Sequence, residues 1–165
     1  MKSIEELSLQ TKTKAFFKNP SKVNFINNEW VSANADKISE VINPANEHII
    51  ATIPVSSKED VDKAVMAAKT AFYNKEWRKM LPANRERLLH KLADLIEENA
   101  DYIAEVITLE NGKPFIEAKK SEVLGAAKTF RYYAGWCTKI EGETFDISIP
   151  QPGNKQNFAF TKREP

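Results

Sequence analysis

Cysteine is nearly missing from this chain: Cys137 is the only one in 165 residues, so no disulfide closes within it. No Asn-x-Ser/Thr acceptor with x other than Pro occurs either, and the two absences together point to a reducing compartment. Histidine is limited to His48 and His90, which with a single thiol fall short of the N/S ligand set of a zinc site. The glycines Gly112, Gly125, Gly135, Gly142 and Gly153 are spaced so that neither G-x-G-x-x-G nor G-x-x-x-x-G-K-[ST] can be written, which removes both phosphate-cradling turns. No apolar run approaches bilayer-spanning length, and Glu5 and Glu6 stand where a signal peptide would carry its apolar stretch. These features predict a cytoplasmic chain with no membrane partner. An excess of one charge is lacking as well: Lys plus Arg number 24 against 23 for Asp plus Glu. The net charge of +1 gives no field to hold a phosphate backbone, so nucleic acid is not an expected partner.

What is present is ordinary core material, 42% hydrophobic and 28% charged residues, in a length that favours one domain. Residues 1–22 are polar without a sustained period and are expected to form a loose N-terminal arm. Val23 to Ile26 and Glu29 to Val31 flank Asn27-Asn28, and asparagine tolerates the positive φ that a two-residue hairpin turn needs at both central positions. Ser39 to Ile42 and His48 to Val55 read as two further strands around Asn43-Pro44-Ala45-Asn46, completing a β-meander.

The period then changes. Val61, Ala64, Val65, Ala68 and Phe72 recur at helical spacing, with Ser56/Glu59 or Ser57/Asp60 available as a capping box, so a helix is expected over about 57–74. Pro82 suits a first helical position. Leu88, Leu89, Leu92, Ile96, Ile103 and Ile107 follow as an apolar stripe ending at Gly112, with a break at Asn99. A third helical stretch starts at Pro114 and carries Val123, Leu124, Ala127, Phe130, Tyr133, Ala134 and Cys137 near one face until Gly142. No buried strand separates these helices, so the chain cannot build parallel βαβ units or a dinucleotide crevice alone. From Glu143 the period becomes two, with Phe145, Ile147 and Ile149, a turn at 150–154, then Phe158 and Phe160, a ribbon whose unpaired edges call for another strand. The segment is therefore α+β: a β-meander, three helical segments and a C-terminal hairpin arm, without a complete Rossmann-type sheet.

Several groups invite a chemical reading, and each has a structural one that fits better. Cys137 as a nucleophile would need a basic partner and an oxyanion hole; on a last helical turn it reads as a small hydrophobe. Glu97-Glu98 and Asp60-Asp62 are carboxylate pairs, yet such neighbours on a helix do not face a common point and are expected on solvated faces. Arg131-Tyr132-Tyr133-Ala134-Gly135-Trp136 could stack a base or hold a cationic ligand, but Phe130, Tyr133, Ala134 and Cys137 cannot all be exposed, and Arg131 is free to pair with a carboxylate. Thr161-Lys162-Arg163 reads as strand-edge charge.

Phe25-Ile26-Asn27-Asn28-Glu29-Trp30-Val31, Ile42-Asn43-Pro44, Ser57 to Val61, Leu109-Glu110-Asn111-Gly112-Lys113-Pro114 and Arg131 to Trp136, in that order, resemble the N-terminal third of the NAD(P)-dependent aldehyde dehydrogenases. The resemblance covers about residues 23–165. It implies an α/β parent fold in which 23–142 begins the cofactor-binding domain, its helices covering a parallel sheet built mainly from later residues, and 143–165 is an oligomerisation hairpin. It implies an oxidation of aldehyde to carboxylate through a thioester on a cysteine, with NAD or NADP as cofactor in the complete enzyme. None of those catalytic or cofactor-binding residues falls within this chain, so no cofactor and no activity are expected of it alone. By the same resemblance Ser121 and Gly125 lie on a helix lining the aldehyde entrance. The backbone carbonyls of Ile42 and Glu110 match positions that hold a monovalent cation in some members. The implied partners are the rest of an aldehyde dehydrogenase chain and further copies joined through the 143–163 hairpin. The competing reading is a non-catalytic module that binds full-length subunits.

Overall fold

Strand formation begins at the paired asparagines: Asn27 and Asn28 adopt φ of 52° and 68°, the left-handed values of a tight hairpin turn. They join β1 (Asn24–Ile26) to β2 (Glu29–Val31) with Phe25 opposite Trp30. The computed structural model describes residues 4–19, 23–33, 37–149, 153 and 157–163. A second antiparallel ribbon pairs β3 (Ile38–Ile42) with β4 (Ile49–Pro54), its register shifted between Val41 and Ile42. The intervening turn is organised by Asn43, which is buried: its Oδ1 accepts from the Ala45 N–H, and its own N–H donates to the His48 carbonyl.

Helix α2 (Lys58–Tyr73) starts at Ser57, and of the two possible capping boxes the Ser57/Asp60 pair is the one formed. The short α3 (Lys75–Arg78) follows. Then come α4 (Pro82–Glu98), with Pro82 in its first turn, and α5 (Ala100–Asn111), divided from α4 at Asn99 as expected. Gly112 ends α5 with φ of 79°. The third helical stretch has three parts, α6 (Phe115–Glu117), a π-helical segment (Ala118–Val123) and α7 (Leu124–Trp136), and it ends before Gly142. No strand lies between residues 58 and 143, and all sheets among the described residues are two-stranded and antiparallel. The chain thus has the α+β order read from its sequence and lacks a parallel sheet among those residues.

The core sits in two places. Ala100 and Ala104 of α5 pack on Ala118 and Val123 of the π segment, with Ile96, Ile103, Ile107, Phe115 and Leu124 around them. Alanines at these contacts let the backbones approach closely, and Ala93, Ala127 and Ala134 are likewise buried where α4 crosses α7. A separate cluster joins Phe17, Ile50 and Leu109, with Ile4, Leu7, Leu9, Val41 and Val106.

This second cluster corrects the expectation of a loose N-terminal arm. Residues Thr11–Lys18 form α1, preceded by a 3-10 turn at Ile4–Glu6, and Thr13 and Phe17 are buried against α5 and β4. A short amphipathic pattern, Thr13, Phe16 and Phe17 at i, i+3 and i+4, was the available signal. It is too brief to nucleate a helix alone, and tertiary packing supplies the stability.

The C-terminal ribbon pairs β5 (Thr144–Ile147) with β6 (Asn157–Phe160). Phe145 stands opposite Ala159 and Ile147 opposite Asn157, whereas Phe158 and Phe160 stand opposite Asp146 and Thr144. Directly paired residues share a face, so the phenylalanines of β6 lie on the reverse side from Phe145 and Ile147. The ribbon is apolar on both faces. The turn read at 150–154 lies outside the described residues except for Gly153, which has φ of 82°.

Candidate functional site

The resemblance-derived residues fall in two neighbourhoods. Ile42 and Glu110 belong to segments that the fold brings together: a Cβ built on Gly112 would lie 2.8 Å from Pro44 Cγ, so the turn after β3 rests on the end of α5. Only glycine allows that approach at a positive φ. Glu110 is in the last turn of α5, where carbonyls have no helical N–H one turn further on, and Ile42 precedes the buried Asn43 of the turn. Glu110 thus lies at the negative end of the α5 dipole. Among the described residues there is no group of three or more His, Cys, Asp or Glu side chains that could hold a metal ion.

Ser121 and Gly125 are one helical step apart, Ser121 in the π segment and Gly125 at the start of α7. Ser121 is exposed and its Oγ donates to Glu117 Oε2 at 3.0 Å. A Cβ on Gly125 would meet nothing within 4 Å, so this stretch borders open space. The Gly125 carbonyl accepts from Thr129 Oγ1 at 3.0 Å. The π segment that contains Ser121 widens the helix at this point, a feature that recurs at functional sites. Lys113 and Glu122 pair across its start, and Lys119 pairs with Asp101 of α5.

Arg131 finds the carboxylates expected of it: Nη2 donates to Glu97 Oε2 at 2.6 Å and to Asp94 Oδ1 at 2.7 Å, clasping α7 to α4. Hydrogen bonds to Glu97 and then Asp94 push its pKa further up, so the guanidinium stays charged. Glu97 is therefore a structural partner of Arg131. Asp60 departs from expectation, because it is buried and not on a solvated face: its Oδ2 accepts from the Ser57 N–H at 3.0 Å as part of the helix cap. Cys137 follows the last turn of α7, its thiol directed at the Tyr133 carbonyl 3.7 Å away, as a helix-end side chain. The aromatic stripe is less buried than its spacing implied. Ala134 is enclosed, but Tyr132 and Tyr133 are 62% and 60% exposed and meet edge to face at 5.2 Å.

Those exposed rings are part of a larger pattern. Val61, Val65, Met66, Phe72 and Tyr73 of α2, Leu88, Leu92 and Leu95 of α4, and Phe145, Phe158 and Phe160 of the ribbon all face outward. An open groove of about 450 Å³ lies between the β1–β2 turn and Ala64, Ala67, Ala68 and Ala71 of α2. No helix of the described residues is long and apolar enough to cross a membrane.

A dinucleotide pocket of the doubly wound type needs parallel strands whose carboxyl ends meet helix N-termini. The described residues contain no parallel pair of strands.

Comparison with known proteins places these features in a family. The model of the aldehyde dehydrogenase family matches residues 30–165. An aldehyde dehydrogenase of Alternaria alternata is 45% identical over 159 residues, which span 96% of this chain and 30% of that protein. Human retinal dehydrogenase 2 is 44% identical over 142 residues, 86% of this chain and 26% of that protein. Among solved structures, the NAD+ complex of a Bacillus cereus aldehyde dehydrogenase superposes with a TM-score of 0.79 at 41% identity, covering 92% of this chain and 30% of that one. This chain, spanning under a third of the length of these relatives, belongs to the aldehyde dehydrogenase family.

Proposed function

We propose that this chain is the N-terminal structural segment of an NAD(P)+-dependent aldehyde dehydrogenase and performs no catalysis alone. In the complete enzyme a cysteine thiolate, outside this chain, attacks the aldehyde and the resulting thioester is hydrolysed to carboxylate. NAD or NADP, when bound there, accepts hydride. The residues 23–142 supply helices that cover the cofactor sheet, the 143–165 ribbon joins copies of the enzyme, and 1–22 is an N-terminal arm. The enzyme works in the cytoplasm. The observation that carries this reading is α2: its apolar residues Val61, Val65, Met66, Phe72 and Tyr73 are uncovered here, as expected of a helix whose partner lies elsewhere.

Two finer roles belong to the same reading. Ser121 and Gly125 border the passage by which aldehyde reaches the thiolate, their small size leaving room for a bulky substrate; the open space beside Gly125 supports this. The carbonyls of Ile42 and Glu110 take a monovalent cation in the assembled enzyme, which the seating of Pro44 on Gly112 supports.

The purified chain, assayed with NAD+ or NADP+ and a panel of aldehydes, is expected to give no oxidation, to bind neither nucleotide in equilibrium dialysis, and to melt broadly with a tendency to associate. Turnover or tight nucleotide binding by the chain alone would overturn the reading. A sharp melt with a defined oligomer would favour the module that binds full-length subunits.

A further inference from the structure

The sequence holds one Asn-Gly pair, Asn111-Gly112, and the fold places it at an exposed helix end. Asn111 is the last residue of α5, and Gly112 follows in the left-handed conformation with φ of 79°. Because Gly112 has no Cβ, nothing on that residue shields its main-chain nitrogen from the Asn111 side-chain carbonyl one residue back. Two contacts hold that nitrogen in place. Its N–H donates to the Thr108 carbonyl at 3.0 Å, which points it back along the helix, and Gly112 is seated so close to the 43–48 turn that a Cβ there would lie 2.8 Å from Pro44 Cγ. The bond to Thr108 closes the last turn of α5, and helix ends open ahead of the body they belong to.

We infer that Asn111 is a site of spontaneous deamidation, gated by the closing of the last turn of α5 onto Pro44. When the turn opens, the Gly112 nitrogen gives up its proton and bonds to the Asn111 side-chain carbonyl carbon. The bond from that carbon to the side-chain nitrogen breaks, and this nitrogen takes up the proton and leaves as ammonia. Water then adds to one of the two carbonyls of the five-membered ring and opens it, leaving aspartate or, with the main chain lengthened by one methylene, isoaspartate. Nothing is oxidised or reduced. Either product carries a carboxylate next to Glu110 at the negative end of the α5 dipole, where a negative charge is unfavourable. In the isoaspartate the lengthened chain no longer returns Gly112 to its place on Pro44, so conversion is a one-way loosening of α5 from the 43–48 turn. The inference stands apart from the catalytic reading, because it concerns only bonds within this chain.

Incubation of the 165-residue chain in mildly alkaline buffer, with and without urea, tests this, its proteolytic peptides being fragmented in the mass spectrometer to separate Asn111 from Asn99. Conversion of Asn111 is expected in both samples and about tenfold faster in urea, where the bond to Thr108 and the seat on Pro44 are gone. Pro44→Ala removes the ring carbon against which Gly112 rests, and is expected to raise the rate in buffer about threefold while leaving the rate in urea unchanged. Gly112→Ala strains the same turn yet puts a Cβ beside the attacking nitrogen, so Asn111 is expected to keep its amide over the same period. An Asn111 that keeps its amide in either sample of the unsubstituted chain, equal rates in buffer and urea, no acceleration in Pro44→Ala, or undiminished conversion in Gly112→Ala would each overturn the inference.

Discussion

Helices α2 and α5 announce themselves in sequence by the same sign, apolar residues at helical spacing behind a defined start, and they end in opposite surroundings. Helix α5 buries Ala100, Ala104 and Leu109 and is lined by Ile103, Val106 and Ile107, because the π segment lies on one side of it and α1 with β4 on the other. Helix α2 buries only Asp60, which serves its cap, and leaves Val61 and Val65 at 53% and 59% exposure. An amphipathic stripe states that a helix has a partner. It does not state whether the partner is encoded nearby. Among the described residues α5 is packed on both sides, whereas α2 meets the β1–β2 hairpin across an open groove and the short α3 at its end.

Substitutions in α5 should loosen the body, and equivalent ones in α2 should not. The largest effect is expected from Leu109→Ala. Truncating a leucine that is 6% exposed costs about 3 kcal/mol, so α5 amides should exchange with solvent about a hundredfold faster while those of α2 keep their rates. Equal acceleration in both helices would erase the distinction. Gly112→Ala comes next. It places a Cβ 2.8 Å from Pro44 Cγ at a φ of 79°, a strain of about 1–2 kcal/mol. Amide exchange should rise about tenfold at the end of α5 and in the 43–48 turn. The smallest effect is expected from Val61→Ser with Val65→Ser, within about 0.5 kcal/mol because neither side chain is covered. The same pair should make the chain less prone to associate by size-exclusion chromatography. A marked loss of helix by circular dichroism in the pair would mean that α2 already has a packing partner.

Local devices were legible from residues alone. Asn27-Asn28 specified a tight hairpin turn, Asn99 a break and Gly112 a helix end, and a capping box was legible before α2 although Ser56/Glu59 and Ser57/Asp60 both fitted it, each because a short stretch of backbone has few comfortable conformations for those side chains. The sites Ile42, Glu110, Ser121 and Gly125 came through resemblance, since a backbone carbonyl or a small side chain leaves no chemical mark in a sequence. Other features were hidden for a different reason. The docking of α1 depends on Glu105, more than ninety residues away, and on the Gln10 N–H that it caps. The π segment depends on how Ala118 and Val123 meet Ala100 and Ala104.

Local backbone preference and apolar period, read residue by residue, were enough to establish the order of ribbons and main helices from residue 23 onward and, with the motif order, the family. Pairing in space decided the rest: that the polar N-terminus folds onto α5, that the C-terminal ribbon is apolar on both faces, and that Glu97 and Asp94 belong to Arg131. Turns and caps are built from contacts a few residues apart, where sequence distance and spatial distance agree. Burial and ion pairing join residues far apart in the chain, and only the folded arrangement tells which of them meet.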